Sequence, residues 1–192
     1  MDACQIAIRP YAPADAHEWV RCRVWAFLRS AYFDDVVTSK PTYDDAPRVE
    51  LVATADERIV GLIDVVLYAD GLATIETIAV APEVSRSGVG TALLEGALAR
   101  LPANVTVLDA WTREDDEANG WYKANGFDET YRYLHVYADQ QELETAMVTA
   151  LHGMRPIQGW FHTDIKNETA LRQLFKRIYS CRRYERSISR VR

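Results

Sequence analysis

The sequence is short of several things, and each shortage narrows what the chain can be. No apolar run is long enough to cross a bilayer as a helix. The start, Met1-Asp2-Ala3-Cys4-Gln5, has neither a charged n-region nor an apolar h-region, which argues against export and for a cytoplasmic protein. Cysteine is scarce: Cys4, Cys22 and Cys181 stand far apart with no Cys-x-x-Cys pair, so a disulfide framework and a thiolate zinc site are both excluded and reduced thiols are expected. The histidines, His17, His135, His152 and His162, match no metal-ligand spacing, and no metal is expected. Positive charge is outweighed, 22 Lys and Arg against 28 Asp and Glu, for a net charge of -6. That balance argues against general affinity for nucleic acid and mildly favours a cationic partner. There is no internal repeat, low-complexity tract or linker. The 192 residues, 48% hydrophobic and 10% aromatic, are expected to form one well-buried domain over 1–192.

What is present centres on Val84-Ser85-Arg86-Ser87-Gly88-Val89-Gly90-Thr91-Ala92-Leu93-Leu94. An apolar strand, Thr74 to Val80, leads in, and an apolar helix, roughly Gly88 to Ala99, leads out. Two glycines permit a tight turn and a close approach of backbone to ligand. The first amides of the helix lack intrahelical acceptors and sit at the positive end of its dipole, an arrangement suited to phosphate or pyrophosphate. A P-loop would continue Gly-Lys-Ser/Thr, whereas Gly90 is followed by Thr91-Ala92. A dinucleotide fingerprint would place a third glycine where Leu93 stands. A plain strand-to-helix turn would use the same two glycines.

A second segment separates these readings. Asp115-Asp116-Glu117-Ala118-Asn119-Gly120-Trp121-Tyr122-Lys123-Ala124-Asn125-Gly126-Phe127 has an acidic first turn, a helical body and Asn125-Gly126 as a left-handed cap, with Phe127 opening another strand. Together the two segments resemble the GNAT superfamily of acyl-CoA-dependent N-acetyltransferases. In that family a strand ending Val-x-Pro-Glu leads to Gln/Arg-x-x-Gly-x-Gly/Ala, and Asn-x-x-Ala-x-x-x-Tyr-x-x-x-Gly-Phe follows. Here Val80-Ala81-Pro82-Glu83, Gly88-Val89-Gly90, Ala118, Tyr122, Gly126 and Phe127 fall at those spacings. Ser85 replaces the family's Gln/Arg, with Arg86 adjacent, and Asp115 replaces its Asn. The resemblance is clear over 1–137 and thins over 138–192.

The resemblance implies a mostly antiparallel, mixed α/β sheet with a strand–helix–strand crossover, flanking helices and an elaborated C-terminal segment. It implies acetyl-CoA as cosubstrate, its pyrophosphate on Arg86, Ser87, Gly88, Val89, Gly90 and Thr91. The pantetheine arm then pairs with backbone groups of Ile78, Ala79 and Val80, and Asp115 and Ala118 lie near it. An acetyl group passes by direct attack in a ternary complex to a primary amine of a small molecule or protein. Tyr122 is the candidate donor to the leaving sulfur and Glu76 the candidate base. Tyr32, Phe33, Asp34, Asp35, Trp111 and Tyr131 are the candidate acceptor wall, since aromatics with carboxylates suit an ammonium group.

Each assignment has an ordinary alternative. Tyr122 can be a core aromatic, Glu76 a solvated strand residue, Asp115 a helix-start residue, and Asp34 and Asp35 a solvated turn. The departures at Ser85 and Asp115 favour a rival reading, a non-catalytic acyl-CoA-binding sensor or interaction module.

Along the chain, Gln5 to Tyr11 reads as a strand and Val20, Val24, Phe27 and Leu28 as one face of a helix. Tyr32 to Pro47 reads as a loop with room for a short helix. Val49 to Thr54 and Ile59 to Leu67 are strands joined by the turn Ala55-Asp56-Glu57-Arg58, and Leu72 to Val80 follows Asp70-Gly71. Val105 to Ala110 ends the crossover. In the tail, Gln140 to His152 reads as a helix and Pro156 to Asp164 as a strand. Leu171, Leu174, Phe175 and Ile178 form a helical stripe, and Arg182 to Ile188 a closing strand. This extra length suits an elaborated half-domain or an edge for a homodimer.

Overall fold

The computed structural model describes residues 6–43, 46–146 and 153–189. Its centre is an eight-stranded sheet. The strands are β1 (Ala7–Pro10), β2 (Arg48–Ala55), β3 (Arg58–Leu67), β4 (Leu72–Val80), β5 (Val107–Thr112), β6 (Asp128–Asp139), β7 (Gln158–Asp164) and β8 (Arg177–Ser187). The helices are α1 (Ala16–Phe27), α2 (Val89–Leu98), α3 (Asp116–Ala124), α4 (Gln140–Ala146) and α5 (Glu168–Leu174). The sheet order is β1-β2-β3-β4-β5-β8-β6-β7. Every pairing is antiparallel except β4 with β5, which the α2 crossover makes parallel. The expected mixed sheet is present, and no helix among the described residues is long and apolar enough to cross a membrane.

Local chemistry accounts for the first half. Asp56 and Glu57 both adopt left-handed φ, 46° and 66°, as a two-residue turn between right-twisted strands requires. The middle strands are apolar on both faces because a helix covers each. Val89 and Leu93 of α2 crowd Gly61 on one face. On the opposite face, α1 buries Trp19 completely. There Lys40 reaches under the helix to Glu50 at 2.6 Å and Asp64 at 2.8 Å, with its ammonium over the Trp19, Tyr11 and Tyr43 rings. That anchor holds the connection after α1 as an ordered loop. No second helix forms there among the described residues.

The second half departs further from expectation. The stripe Leu171, Leu174, Phe175, Ile178 is not one helix. α5 ends at Leu174, Phe175 is extended, and Ile178 belongs to β8. Leu171, Phe175 and Ile178 nevertheless pack together, against Leu134 and Val136 of β6. A helix and the strand that follows it fold back over one small cluster and mimic a helical period. β8 inserts between β5 and β6, so the C-terminal segment fills the interior of the sheet. The helix expected over Gln140 to His152 is present through Ala146, and its remainder, with Cys4, Gln5 and His152, lies outside the described residues.

Candidate functional site

The site begins where two strands part. β4 and β5 pair only from Leu72 with Val107 to Ile75 with Ala110. Beyond that, β4 stays with β3 through Val80, and β5 stays with β8 through Thr112. Glu76 is the extra residue at the parting point, since Asp64 pairs with Thr77 and Val65 with Ile75. A bulge of this kind bends the strand and re-aims its side chain. The strands open into a cleft of about 1270 Å³.

Strand alternation decides which backbone groups face the opening. The Ala81 amide donates to Val60 O at 2.8 Å, toward β3. Polar backbone groups alternate sides along an antiparallel strand, so those of Ala79 also face β3, while Ile78 and Val80 turn theirs into the cleft. The expectation that Ala79 would offer backbone groups to a ligand is therefore corrected: its backbone is spent on the sheet, although the residue still lines the cleft.

At the far end of β4 the chain turns through Pro82–Val84 and reaches Gly88, the residue before α2, with φ of 85°. The first bonded amide of the helix is Ala92, to Gly88 O at 2.9 Å. Those of Val89, Gly90 and Thr91 have no acceptor among the described residues and stand at the positive helix end. The two glycines serve different ends. A Cβ on Gly88 would meet nothing within 4 Å, so this glycine is required for backbone sign. A Cβ on Gly90 would stand 3.2 Å from Trp121 Nε1, so that glycine lets α2 approach α3. Arg86 lies at the mouth and pairs with Glu117 at 2.7 Å, both exposed. Ser87 does not line the cleft; its hydroxyl donates to Val84 O at 2.6 Å.

α3 forms the opposing wall. Asp115 is its N-cap and accepts from the Ala118 amide at 2.9 Å. Tyr122 is 5% exposed, its ring stacked on Tyr184 of β8 at 5.2 Å and edge-on to Trp121 and Phe127. Its hydroxyl has no hydrogen-bond partner among the described residues, and the residue lines the cleft. Burial pushes its phenol far above the ordinary value. Behind it, the Tyr184 hydroxyl donates to Asn119 Oδ1 at 2.9 Å, and Asn119 Nδ2 donates to Asp115 O at 2.6 Å. From outside the cleft lining, the Tyr68 hydroxyl donates to Glu76 Oε1 at 2.7 Å, and that carboxylate pushes the Tyr68 phenol up to about 12.

A family model described as an acetyltransferase (GNAT) domain matches residues 47–129. This segment is similar to a GNAT acetyltransferase domain. That match spans the parting strands, the glycine turn and α3. No curated protein matches the chain. Solved structures do, at low identity. The ribosomal-protein-S18-alanine N-acetyltransferase of Escherichia coli aligns at 15% identity and a TM-score of 0.56, over 98% of this chain and 97% of its own. A GNAT-family acetyltransferase of Staphylococcus aureus Mu50 aligns at 12% identity and 0.60, over 96% and 100%. The PaiA N-acetyltransferase of Thermoplasma acidophilum, solved with coenzyme A, aligns at 15% and 0.56, over 66% and 91%. At such identities the likeness is one of fold.

Within the matched segment and its flanks, the cleft brings together Glu76, Ile78, Val80, the Gly88–Thr91 turn, Asp115, Ala118 and Tyr122. The acceptor wall divides. Tyr32, Asp35 and Trp111 line the cleft. Tyr32 is locked, accepting from the Arg113 amide at 2.7 Å and facing Thr112 Oγ1 at 3.3 Å, and Arg23 holds Asp35 at 2.9 Å. Phe33 and Asp34 do not line it. Asp34 bridges Arg113 at 2.8 Å and Arg177 at 2.9 Å, and Phe33 packs over Arg177. Two buried-side arginines claim this stretch of loop, and the sequence gives no local sign of them. Tyr131 sits behind Trp111, 6.1 Å between centroids, outside the cleft. Sequence reasoning missed Tyr68, Trp121 and Tyr184, whose roles depend on pairings remote in the chain.

Proposed function

We propose that this chain transfers an acetyl group from acetyl-CoA directly to a primary amine of a small molecule or protein, with both substrates in the cleft at once. The observation that carries the reading is the parting of β4 from β5 beside a helix start with unbonded amides. The fit is specific to a long ligand with an anionic end. The Gly88–Thr91 amides suit the diphosphate, with Arg86 adjacent, while the inward-facing groups of Ile78 and Val80 suit the amides of a pantetheine arm. The cleft exceeds the usual range for a single small ligand, roughly 300–1,000 Å³, which leaves room for an acceptor. An acetyl-CoA thioester supplies the activated acyl group.

The chain's own groups do the rest. The Ile78 amide points into the cleft and can polarise the carbonyl under attack. Glu76, aimed by its bulge and held by Tyr68, takes a proton from the acceptor ammonium directly or through water, so that a neutral amine attacks. Tyr122 donates a hydrogen bond to the departing sulfur. No protein nucleophile is required, and holding two substrates in register supplies most of the acceleration. The test is release of free thiol on mixing the protein with acetyl-CoA and a panel of amines. Thiol release that falls in both Tyr122→Phe and Glu76→Gln supports the proposal. Tight coenzyme binding with no release from any amine supports the non-catalytic acyl-CoA sensor instead.

A further inference from the structure

Trp111 is the last cleft residue on β5, and a row of rings continues outward from it on the same face of the sheet. Trp111 lies 5.7 Å from Tyr133 and 6.1 Å from Tyr131, Tyr133 lies 4.6 Å from His162, and His162 lies 6.5 Å from Trp160. The register puts these side chains on β5, β6 and β7, with β8 between the first two, so the row crosses three strand spacings, or about 14 Å. It is open to solvent: Trp111 is 44% exposed, Tyr131 56% and Trp160 66%. Exposed contiguous apolar surface of this kind marks an interaction site.

Two features define the occupant. A small molecule is normally enclosed over most of its surface, and a flat open row encloses nothing. An extended chain of about four residues, at ~3.3 Å each, matches the length. The charges beside the row are already paired: Arg183 with Asp109 at 2.6 Å and Glu185 at 2.8 Å, and Asp34 with Arg113 and Arg177. The two carboxylates of β5 and β8, Asp109 and Glu185, are thus both spent on Arg183, which weakens the draw on a polyamine. We infer that the acceptor is the amino terminus of a polypeptide whose first few residues are uncharged, laid along the Trp111–Trp160 row with its amine in the cleft. This rests on the acetyl-transfer reading and names its substrate class.

The experiment compares acetyl-CoA-dependent thiol release from uncharged peptides of one to six residues, each with a free amino terminus and amidated carboxyl end, and from spermidine. In parallel, quenching of tryptophan fluorescence reads peptide binding without acetyl-CoA. The expected result is a kcat/KM that rises at least about tenfold with length and levels off near five residues. In Trp160→Ala, a solvent-facing change, the gain with length stops earlier, and the longest peptide loses about three- to tenfold. Turnover that is independent of length, or that prefers spermidine, overturns the inference and leaves acetyl transfer standing. Saturable quenching by long peptides, weakened in Trp160→Ala but without thiol release, supports the row and overturns the transfer reading.

Discussion

Replacing Tyr122 by Phe removes one oxygen atom and leaves the ring. The ring's contacts with Trp121, Phe127 and Tyr184, at centroid distances of 5.0, 5.3 and 5.2 Å, survive the change. The hydroxyl lost has no partner among the described residues, so unfolding free energy should shift by less than about 1 kcal/mol. The catalytic effect follows from the direction of the phenol's shift. An unperturbed phenol titrates near 10 and a thiol near 8.5, so full proton transfer from tyrosine to a departing thiolate is already uphill. Burial raises the Tyr122 phenol further and makes that transfer less favourable. On the proposed acetyl-transfer reading, what remains is a hydrogen bond to a developing anion, worth about 1.5–3 kcal/mol, or about 10- to 150-fold in rate. Tyr122→Phe should therefore lower kcat within that range and leave KM for acetyl-CoA nearly unchanged. Because the raised phenol keeps its proton up to at least about pH 10, the alkaline limb of the wild-type profile should not disappear in the variant. Steady-state thiol release with urea unfolding tests both halves. A loss under threefold with normal folding refutes a role at the sulfur. A loss beyond about a thousandfold refutes the hydrogen-bond account and restores full proton transfer.

Gly88→Ala places a Cβ where φ is 85° with open space around it, so only backbone strain is added. Urea unfolding should show a cost of about 1–2 kcal/mol, with a raised KM for acetyl-CoA. Asp115→Ala removes the acceptor of the Ala118 amide and should cost ~1 kcal/mol in the same assay, with Asp115→Asn recovering most of it. His135 is buried, and that burial lowers its pKa from 6.5 to about 4. The native state then binds fewer protons than the unfolded chain between those values. Stability is full above about 6.5 and declines as pH falls toward 4, by on the order of 3 kcal/mol. Urea midpoints at pH 7.5 and 4.5 should show that decline, and His135→Phe should flatten it.

Legibility in the sequence followed the range of the physics involved. Asp56-Glu57, Gly88 and Asp115 state their roles within a few residues, because turns and caps are local, and the structure uses each as a turn, a left-handed residue or a cap. The bulge at Glu76 depends on where β3 pairs, and the backbone directions of Ile78 and Ala79 depend on that register in turn. The family resemblance, with their aromatic and acidic character, puts Phe33 and Asp34 in a pocket wall. Arg113 and Arg177, about 80 and 140 positions later in the chain, draw them away from it. The stripe ending at Ile178 satisfied a helical period because two elements shared one apolar cluster. Periodicity reports which residues are buried together, and it carries no record of where the chain reverses.

The C-terminal segment is where this matters most. An appendage would lie outside the sheet and be dispensable, whereas β8 separates β5 from β6 and presents Tyr184, fully buried, to the back of Tyr122. The two rings are nearly parallel, 11° apart, and Tyr184 is fixed in turn through Asn119 to the start of α3. The segment thus supplies the rear support of a side chain from the N-terminal two thirds. Tyr184→Phe keeps the stacked ring and loses one bond to Asn119, so it should cost about 1 kcal/mol of stability with kcat within a few-fold of normal. Tyr184→Leu loses the ring, should cost several kcal/mol, and should lower kcat in parallel with Tyr122→Phe. In a Tyr122→Phe background it should add little further loss in kcat, because the group being positioned is already gone. Full additivity of the two losses would show that Tyr184 acts on the site by some route other than Tyr122.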